Sequence, residues 1–360
     1  MNTSRAKKVY VGLSGGVDSA VSAALLKQGG YDVTGVFIQV WQPDWLECTW
    51  KDDKLEAMRV AAHLRIPFKT INLEKEYKKD VVDYLISEYK NGRTPNPDVM
   101  CNRHIKFGSF MTWALADGAD YIATGHYARI RNDKGKFQIL EGIDKNKDQS
   151  YFLWTLTEKD LSRTFFPVGD LPKPEVRKLA TKFKLPNATR KDSQGLCFMG
   201  KVDIKEFLSH YIHVKEGAVL NTKGKKIGKH PGALLFTIGE RHGFTITEKS
   251  PNDSRYFVLK KDIETNTITV GTDTEKNVIE SSTNSKYVAI RNIHLLTEIK
   301  PGRELYCRTR YRQHPTKIRV IEVTDSMIGI EFIDDPDSVT PGQSLVLYDG
   351  ERCIGGGIII

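Results

Sequence analysis

A chain of 360 residues and 40.7 kDa exceeds what one hydrophobic core fills and implies two or three domains of about 100–200 residues each, which excludes a single small module. Hydrophobic residues at 39%, with 15 Phe, 14 Tyr and 5 Trp, supply enough apolar surface to offset chain entropy and exclude wholesale disorder. Lysine and arginine exceed the acids by 54 − 45 = 9, an excess that favours a polyanionic partner without proving one.

The basic start, residues 1–8, precedes an apolar run at 9–13 that Gly15, Gly16 and Asp18 interrupt before any cleavage site, so no export signal is expected. No run of about 18 apolar residues occurs, which excludes a membrane-spanning helix. Five widely spaced cysteines, Cys48, Cys101, Cys197, Cys307 and Cys353, are an odd set and predict reduced thiols in the cytoplasm. Without a Cys-x-x-Cys or His-x-x-x-His pair, no stable metal centre is expected.

In chain order, apolar runs at 9–13, 33–40, 68–73 and 121–124 alternate with helical patterns, the signature of βα units and a parallel sheet. Tyr77, Val81, Tyr84, Leu85 and Tyr89 recur at helical spacing until Asn91-Gly92 ends the helix. The proline-rich loop Thr94-Pro95-Asn96-Pro97 follows. Near Val214 the chain turns Gly/Lys-rich, and from about Lys286 it reads as all-β, with strands at 287–290, 304–312, 318–323, 328–332 and 344–348. The expected fold class is α/β: a parallel-sheet nucleotide-binding domain at 1–205, a small central α+β domain at 206–280 and a C-terminal β-barrel at 281–360.

Gly12-Leu13-Ser14-Gly15-Gly16-Val17-Asp18-Ser19 lies directly between the first strand and an amphipathic segment. Glycines let backbone amides approach an anion closely, and the following helix N-terminus favours phosphate there. The loop lacks both Gly-Lys-Ser and Gly-x-Gly-x-x-Gly, so it is neither a Walker A loop nor a dinucleotide fingerprint. A tight βα turn capped by serine is the plain alternative.

Asp98 and Cys101, three apart at the start of a helical pattern, share a face. That suits an acid/base carboxylate beside a thiol whose pKa the helix N-terminus lowers. Equally, Asp98 could be an N-cap. Cys197 sits in a polar, glycine-broken turn, though Leu196 and Phe198 also allow a buried small hydrophobe. Cys48, Cys307 and Cys353 read as bystanders, the last two in strand-like runs. His126 follows the fourth strand, where it either faces the nucleotide or is a satisfied polar histidine.

Ser14-Gly-Gly-Val-Asp-Ser, Arg93-Thr-Pro-Asn-Pro-Asp, Cys101-Asn, Ala123-Thr-Gly-His-Tyr, Lys147-Asp-Gln-Ser-Tyr, Lys191-Asp-Ser with Gly195 to Phe198, Thr309-Arg-Tyr-Arg and Thr340-Pro-Gly-Gln-Ser run in order over nearly the full length. Together they resemble the bacterial tRNA-specific 2-thiouridylases of the PP-loop ATP pyrophosphatase superfamily. The resemblance implies ATP-dependent transfer of sulfur to carbon 2 of the wobble uridine of glutamate, glutamine and lysine tRNAs. It implies ATP contacts at Gly12 to Ser19, Ile38 and Gly125, with Asp18 helping to hold magnesium and pyrophosphate. It also implies a target-base loop at Asn96, Pro97 and Asp98, paired cysteines Cys101 and Cys197, and tRNA contacts at Lys147, Asp148, Gln149, Arg310 and Tyr311. A cysteine desulfurase or a sulfur-relay protein would supply the sulfur. The neighbouring alternative is another PP-loop enzyme that adenylates its substrate and aminates or ligates without sulfur transfer.

The charge has an address. Residues 173–229 hold 14 basic and 5 acidic residues, a net +9 equal to that of the whole chain. Arg308, Arg310 and Arg312 alternate in a strand-like run, so their guanidiniums are expected on one sheet face about 7 Å apart, a spacing that suits successive phosphates. Lys223, Lys225, Lys226 and Lys229 fit either a mobile flap or a solvated hairpin.

Overall fold

The computed structural model describes residues 5–46, 50–192, 203–248, 255–272, 275, 286–336 and 339–360. Cys48, and Cys197 with its turn, lie outside the described residues.

Four strands carry the site: β1 (Lys8–Gly12), β2 (Asp32–Gln39), β3 (Phe68–Asn72) and β4 (Tyr121–Ala123). The hairpin β5 (Ala128–Asp133) and β6 (Lys136–Glu141) follows, then a short β7 (Thr164–Phe165). The first sheet is parallel in the order β3-β2-β1-β4-β7. Val9 and Val11 of β1 are fully buried, because helices cover both faces of such a sheet, and that is why the strand reads as an unbroken apolar run. The chain leaves β1 toward β2 and β3, then returns to place β4 on the other side. The β1/β4 boundary is therefore a topological switch point, and ligands bind beyond the carboxyl ends of strands there.

Helix α1 (Val17–Gln28) leaves the end of β1 and α2 (Trp50–Leu64) follows β2. The expected helix around Tyr77 to Tyr89 runs from Glu74 to Lys90 with a wide π segment at Lys78–Asp83, and Gly92, at φ +72°, ends it. A second helical run opens as one turn at Pro97–Met100, widens at Cys101–Phe110 and closes at Met111–Ala116.

The central domain contains a five-stranded sheet in the order β10-β9-β8-β12-β11, built from β8 (Gly217–Leu220), β9 (Lys226–His230), β10 (Thr245–Ile246), β11 (Tyr256–Asp262) and β12 (Thr267–Thr272). Lys223 and Lys225 lie in the β8–β9 turn, both donating backbone N–H groups to Asn221 Oδ1. The segment Lys223 to Lys229 is thus a β-hairpin turn and strand.

The third unit is a closed antiparallel barrel of β13 (Tyr287–Leu295), β14 (Glu304–Arg308), β15 (Thr316–Val323), β16 (Met327–Phe332), β17 (Ser344–Asp349) and β18 (Arg352–Ile359). The β13–β18 pairing closes it. β6 also pairs with β18, Leu140 opposite Arg352, so the β5–β6 hairpin of the first domain extends the barrel sheet.

The arginine run corrects the expectation drawn from alternation. β14 ends at Arg308, and residues 309–312 form a turn in which Arg312 has φ +63°. Arg308 points inward because two buried carboxylates await it: its Nη1 lies 2.7 Å from Asp148 Oδ2 and its Nη2 bonds Glu141. No shared arginine face forms.

Candidate active site

The phosphate loop is held by bonds among its own residues. The Ser14 and Ser19 hydroxyls lie 3.3 Å apart, Ser14 Oγ accepts from Gly16 N at 3.3 Å, and Ser19 Oγ donates to the Gly16 carbonyl at 3.1 Å. Gly15 has φ +77°, and a Cβ there would lie 2.6 Å from the Asp53 carbonyl and 2.8 Å from Arg190 Nη1. Its own carbonyl accepts from Asn187 Nδ2 at 2.8 Å and Arg190 Nη1 at 3.2 Å. These contacts draw the Gly15 carbonyl away from the loop. Asn187 and Arg190 escaped the sequence reading because nothing local marks them.

Gly125 follows β4 and touches the start of α1 so closely that a Cβ would sit 2.6 Å from Ser19 N. Ile38 lies at the end of β2 beside Gly12, 3.9 Å from where a Cβ on that glycine would stand. The structure therefore gathers Gly12 to Ser19, Ile38 and Gly125 at the switch point.

Asp18 stands in the first turn of α1 inside a charge cluster. Tyr127 OH donates to Asp18 Oδ1 at 2.8 Å, and Lys173 Nζ bonds Oδ1 at 2.7 Å and Oδ2 at 2.9 Å. Lys173 also reaches Asp192 Oδ1 at 2.8 Å, where Arg177 at 2.6 Å and Lys147 on Oδ2 at 2.7 Å converge. Burial pushes the Tyr127 hydroxyl far up and the Asp18 charge adds to it, so it remains a donor. At Asp192 burial opposes ionisation, but the Lys147 and Lys173 ammoniums outweigh it and hold the carboxyl well below its usual range. Among the described residues no group of three potential ligands forms a metal cage. A magnesium ion that keeps its waters and takes most ligands from phosphate would need only one carboxylate, and Asp18, whose oxygens bond Lys173 and Tyr127 here, is the one that stands beside the loop.

The second half of the site is the helical run from Pro97. Asn96, not Asp98, caps it, its Oδ1 accepting from Val99 N at 3.3 Å, with Pro97 in the first turn. Asp98 is thus released from the capping role. Burial raises its carboxyl above the usual range, with the Lys106 ammonium opposing. Cys101 begins the wide segment one turn on and is 4% exposed.

Lys106 also contacts His126, Nζ to Nε2 at 3.4 Å. The His126 ring is buried, Nδ1 lies 2.7 Å from Thr124 Oγ1, and burial drives its pKa well below the ordinary value. Both of its ring nitrogens thus have polar partners. Because His126 adjoins Gly125, Lys106 ties the Asp98 turn to the phosphate loop.

The barrel clamps the loop before this helix. Thr94 N donates to the Pro341 carbonyl at 3.0 Å, and Gln343 Nε2 donates to the Thr94 and Pro95 carbonyls at 2.9 and 3.1 Å. Trp154 Nε1 bonds Ser344 Oγ at 3.1 Å. The Thr340-to-Ser344 motif is thus a support for residues 93–96.

Of the predicted RNA contacts, Lys147 faces Asp192 and stays partly exposed. Asp148 is turned inward, 3% exposed, and bonds Arg308, Gly142 N and Ser150. Gln149 Oε1 accepts from Tyr127 N at 3.0 Å. Arg310 Nη2 donates to the Ile238 carbonyl at 2.9 Å and to Thr340 Oγ1 at 3.0 Å, joining barrel and central domain. Tyr311 packs on Phe152 at 4.6 Å. Burial pushes the Cys307 and Cys353 thiols up to about 12, as inert cysteines require.

A glycine-serine loop at the switch point of a parallel sheet, with an added barrel, defines a PP-loop α/β enzyme, a class whose loop implies use of ATP. The family model described as the tRNA methyl transferase HUP domain matches residues 7–201, its PRC-barrel domain 205–272, and an aminomethyltransferase beta-barrel domain 285–359. The tRNA-specific 2-thiouridylase MnmA of Staphylococcus carnosus is 43% identical over 98% of this chain and 95% of its own. Those of Bacillus subtilis and Lysinibacillus sphaericus are 43% and 44% identical, each over 98% of this chain and 94% of theirs. The chain belongs to the tRNA-specific 2-thiouridylase family.

Proposed function

We propose that the chain is a tRNA-uridine 2-sulfurtransferase that converts the wobble uridine of glutamate, glutamine and lysine tRNAs to 2-thiouridine. The observation that carries the reading is the junction of two parts: an anion loop at the switch point, and a buried carboxyl and thiol on the helix that Lys106 and His126 tie to it.

Oxygen leaves a pyrimidine poorly, so it must first be activated. Uridine O2 attacks the α-phosphate of ATP, and pyrophosphate departs against the loop amides and the Ser14 and Ser19 hydroxyls. Magnesium, held at Asp18, would neutralise phosphate charge when bound. Asn96, Pro97 and Asp98 receive the base once it is drawn out of the anticodon loop, and the raised Asp98 carboxyl supports proton transfer there. The terminal sulfur of a Cys197 persulfide attacks carbon 2 and AMP leaves. Cys101 then attacks the Cys197 sulfur, releasing the 2-thio group and forming a Cys101–Cys197 disulfide that a cellular thiol reduces.

The persulfide comes from a cysteine desulfurase or a relay protein. The reading divides the chain at 1–205, 206–280 and 281–360, with the barrel and the 173–229 segment holding the tRNA stem, Lys147, Gln149, Arg310 and Tyr311 contacting it and Asp148 setting their places. No described helix is long and apolar enough to cross a membrane, and the odd, scattered cysteines support a cytoplasmic location.

The test is nucleoside mass analysis together with pyrophosphate release. Cys101→Ser and Cys197→Ser should each abolish 2-thiouridine while tRNA-dependent pyrophosphate formation survives. Retained thiolation in either variant would refute the scheme, and an ATP-dependent product without sulfur would favour the aminating alternative.

A further inference from the structure

The helical run from Pro97 changes its winding at Cys101. Pro97–Met100 is a single α turn, and Cys101–Phe110 is a π segment whose backbone bonds span five residues. Cys101 and Lys106, five apart, therefore stand on one face, whereas α winding at 3.6 residues per turn would set them about 140° apart. Asp98 and Cys101, three apart, share that face. The wide winding thus gathers a carboxyl, a thiol and an ammonium on one side of the helix. Arg103, two residues past Cys101, is exposed and lines a separate cleft with Thr155 and Asn292.

The Lys106 ammonium is placed from two directions. Its Nζ lies 3.4 Å from His126 Nε2, next to Gly125, which packs on the first turn of α1. Its charge also acts on Asp98, against the burial that raises this carboxyl. The neighbouring groups act elsewhere or stay uncharged: Asp80 and Arg103 act on His104, and burial holds His126 well below its ordinary range. Among the described residues, Lys106 is the charge that acts on the Asp98 carboxyl.

We propose that Lys106 is a positioning residue of the adenylation step, placed by the wide helical turn to hold Asp98 as the carboxylate that takes the N3 proton of the target uridine. The inference rests on the ATP-splitting reading above. As N3 gives its proton to Asp98, the N–H electron pair shifts through carbon 2 onto O2. O2 then bonds the α-phosphorus and pyrophosphate leaves. A desolvated carboxyl can serve as this base when a nearby cation favours its ionised form.

The rate of tRNA-dependent pyrophosphate formation is measured against pH for wild type, Lys106→Gln, Lys106→Arg and Arg103→Met, with thermal unfolding as the control for folding. A base that must be ionised makes the rate fall as pH drops through its pKa. The Lys106 charge lowers that pKa, so Lys106→Gln, which keeps a donor toward His126 but loses the charge, should move the acid limb up by about one pH unit or more. Lys106→Arg keeps the cation and should leave the limb near its wild-type place. Arg103→Met, which removes an equal charge from the other face, should leave it there too. An acid limb that is absent, or unmoved in Lys106→Gln, would overturn the proposal, and a uniform loss at every pH would reduce Lys106 to a structural tie. Equal shifts in Lys106→Gln and Arg103→Met, or a limb that persists in Asp98→Asn, would overturn it as well. Should Lys106→Gln not fold, Lys106→Met reports the same limb. Absence of pyrophosphate formation by wild type would instead overturn the ATP-splitting reading.

Discussion

The loop at 12–19 and the arginine run at 308–312 both look in sequence like anion sites, and they fold in opposite ways. The loop is shaped by its own backbone, bent at Gly15 with φ +77° and held by the Ser14 and Ser19 hydroxyls, and only its Gly15 carbonyl is drawn aside by distant residues, Asn187 and Arg190. The arginine run depends on where its side chains find partners, and those partners, Glu141, Asp148, Ile238 and Thr340, come from distant parts of the chain. A backbone site is legible from its own residues. A side-chain site can be emptied by carboxylates that no local pattern reveals.

The contrast is broken first at Gly15. In Gly15→Ala the new Cβ would meet the Asp53 carbonyl at 2.6 Å, at a φ of +77° that alanine disfavours. The loop must shift, and displacing preorganised donors by about an ångström costs on the order of a hundredfold in rate. Pyrophosphate release should fall by about that factor while thermal unfolding moves by only a few degrees. Near-normal release would mean the loop amides do not position the phosphates.

Much of this contrast explains what the sequence disclosed. The strands β1, β2 and β4 are short, largely buried runs, so their apolar residues gave them away, and the crossover that makes a switch point follows from βα alternation. The β5–β6 hairpin stayed unassigned although Arg129-Ile130-Arg131 alternates toward an Asp133-Lys134-Gly135 turn. Its sheet partner, β18, lies more than two hundred residues on. Tyr127 and Gln149 stood inside recognised motifs, but their bonds to Asp18 and to one another's backbone needed the fold to be seen. Lys173 opened a basic stretch that read as nucleic-acid charge, whereas its ammonium is committed to carboxylates.

The next prediction concerns stability. Arg308 is buried, its two guanidinium nitrogens paired with Asp148 and Glu141 and its plane 4.8 Å from the Tyr348 ring. Arg308→Met leaves the buried Asp148 without a cation and Glu141 with Lys145 alone, and breaking such a pair costs about 3–5 kcal/mol. Denaturant unfolding should show that loss, whereas adding Glu141→Gln and Asp148→Asn should restore much of it. The salt dependence of tRNA binding should not change among folded molecules. A shallower slope without destabilisation would return Arg308 to the phosphate-facing role that alternation suggested.

The smallest effect belongs to Arg312, which is exposed and stacked over the Tyr311 ring at 4.9 Å. Its removal leaves no buried charge behind, so Arg312→Ala should alter unfolding by no more than about 0.5 kcal/mol. If it touches one RNA phosphate, the slope of log affinity against log salt should lessen by about 0.7 to 0.9, for single-stranded or duplex contact respectively. Titrating tRNA between low and physiological ionic strength measures that slope directly. An unchanged slope would extend the contrast to the whole arginine run, leaving the RNA to be held by Lys147 and the basic 173–229 segment. A shift near one would show that the run keeps a single working cation at its tip while Arg308 and Arg310 build the scaffold beneath it.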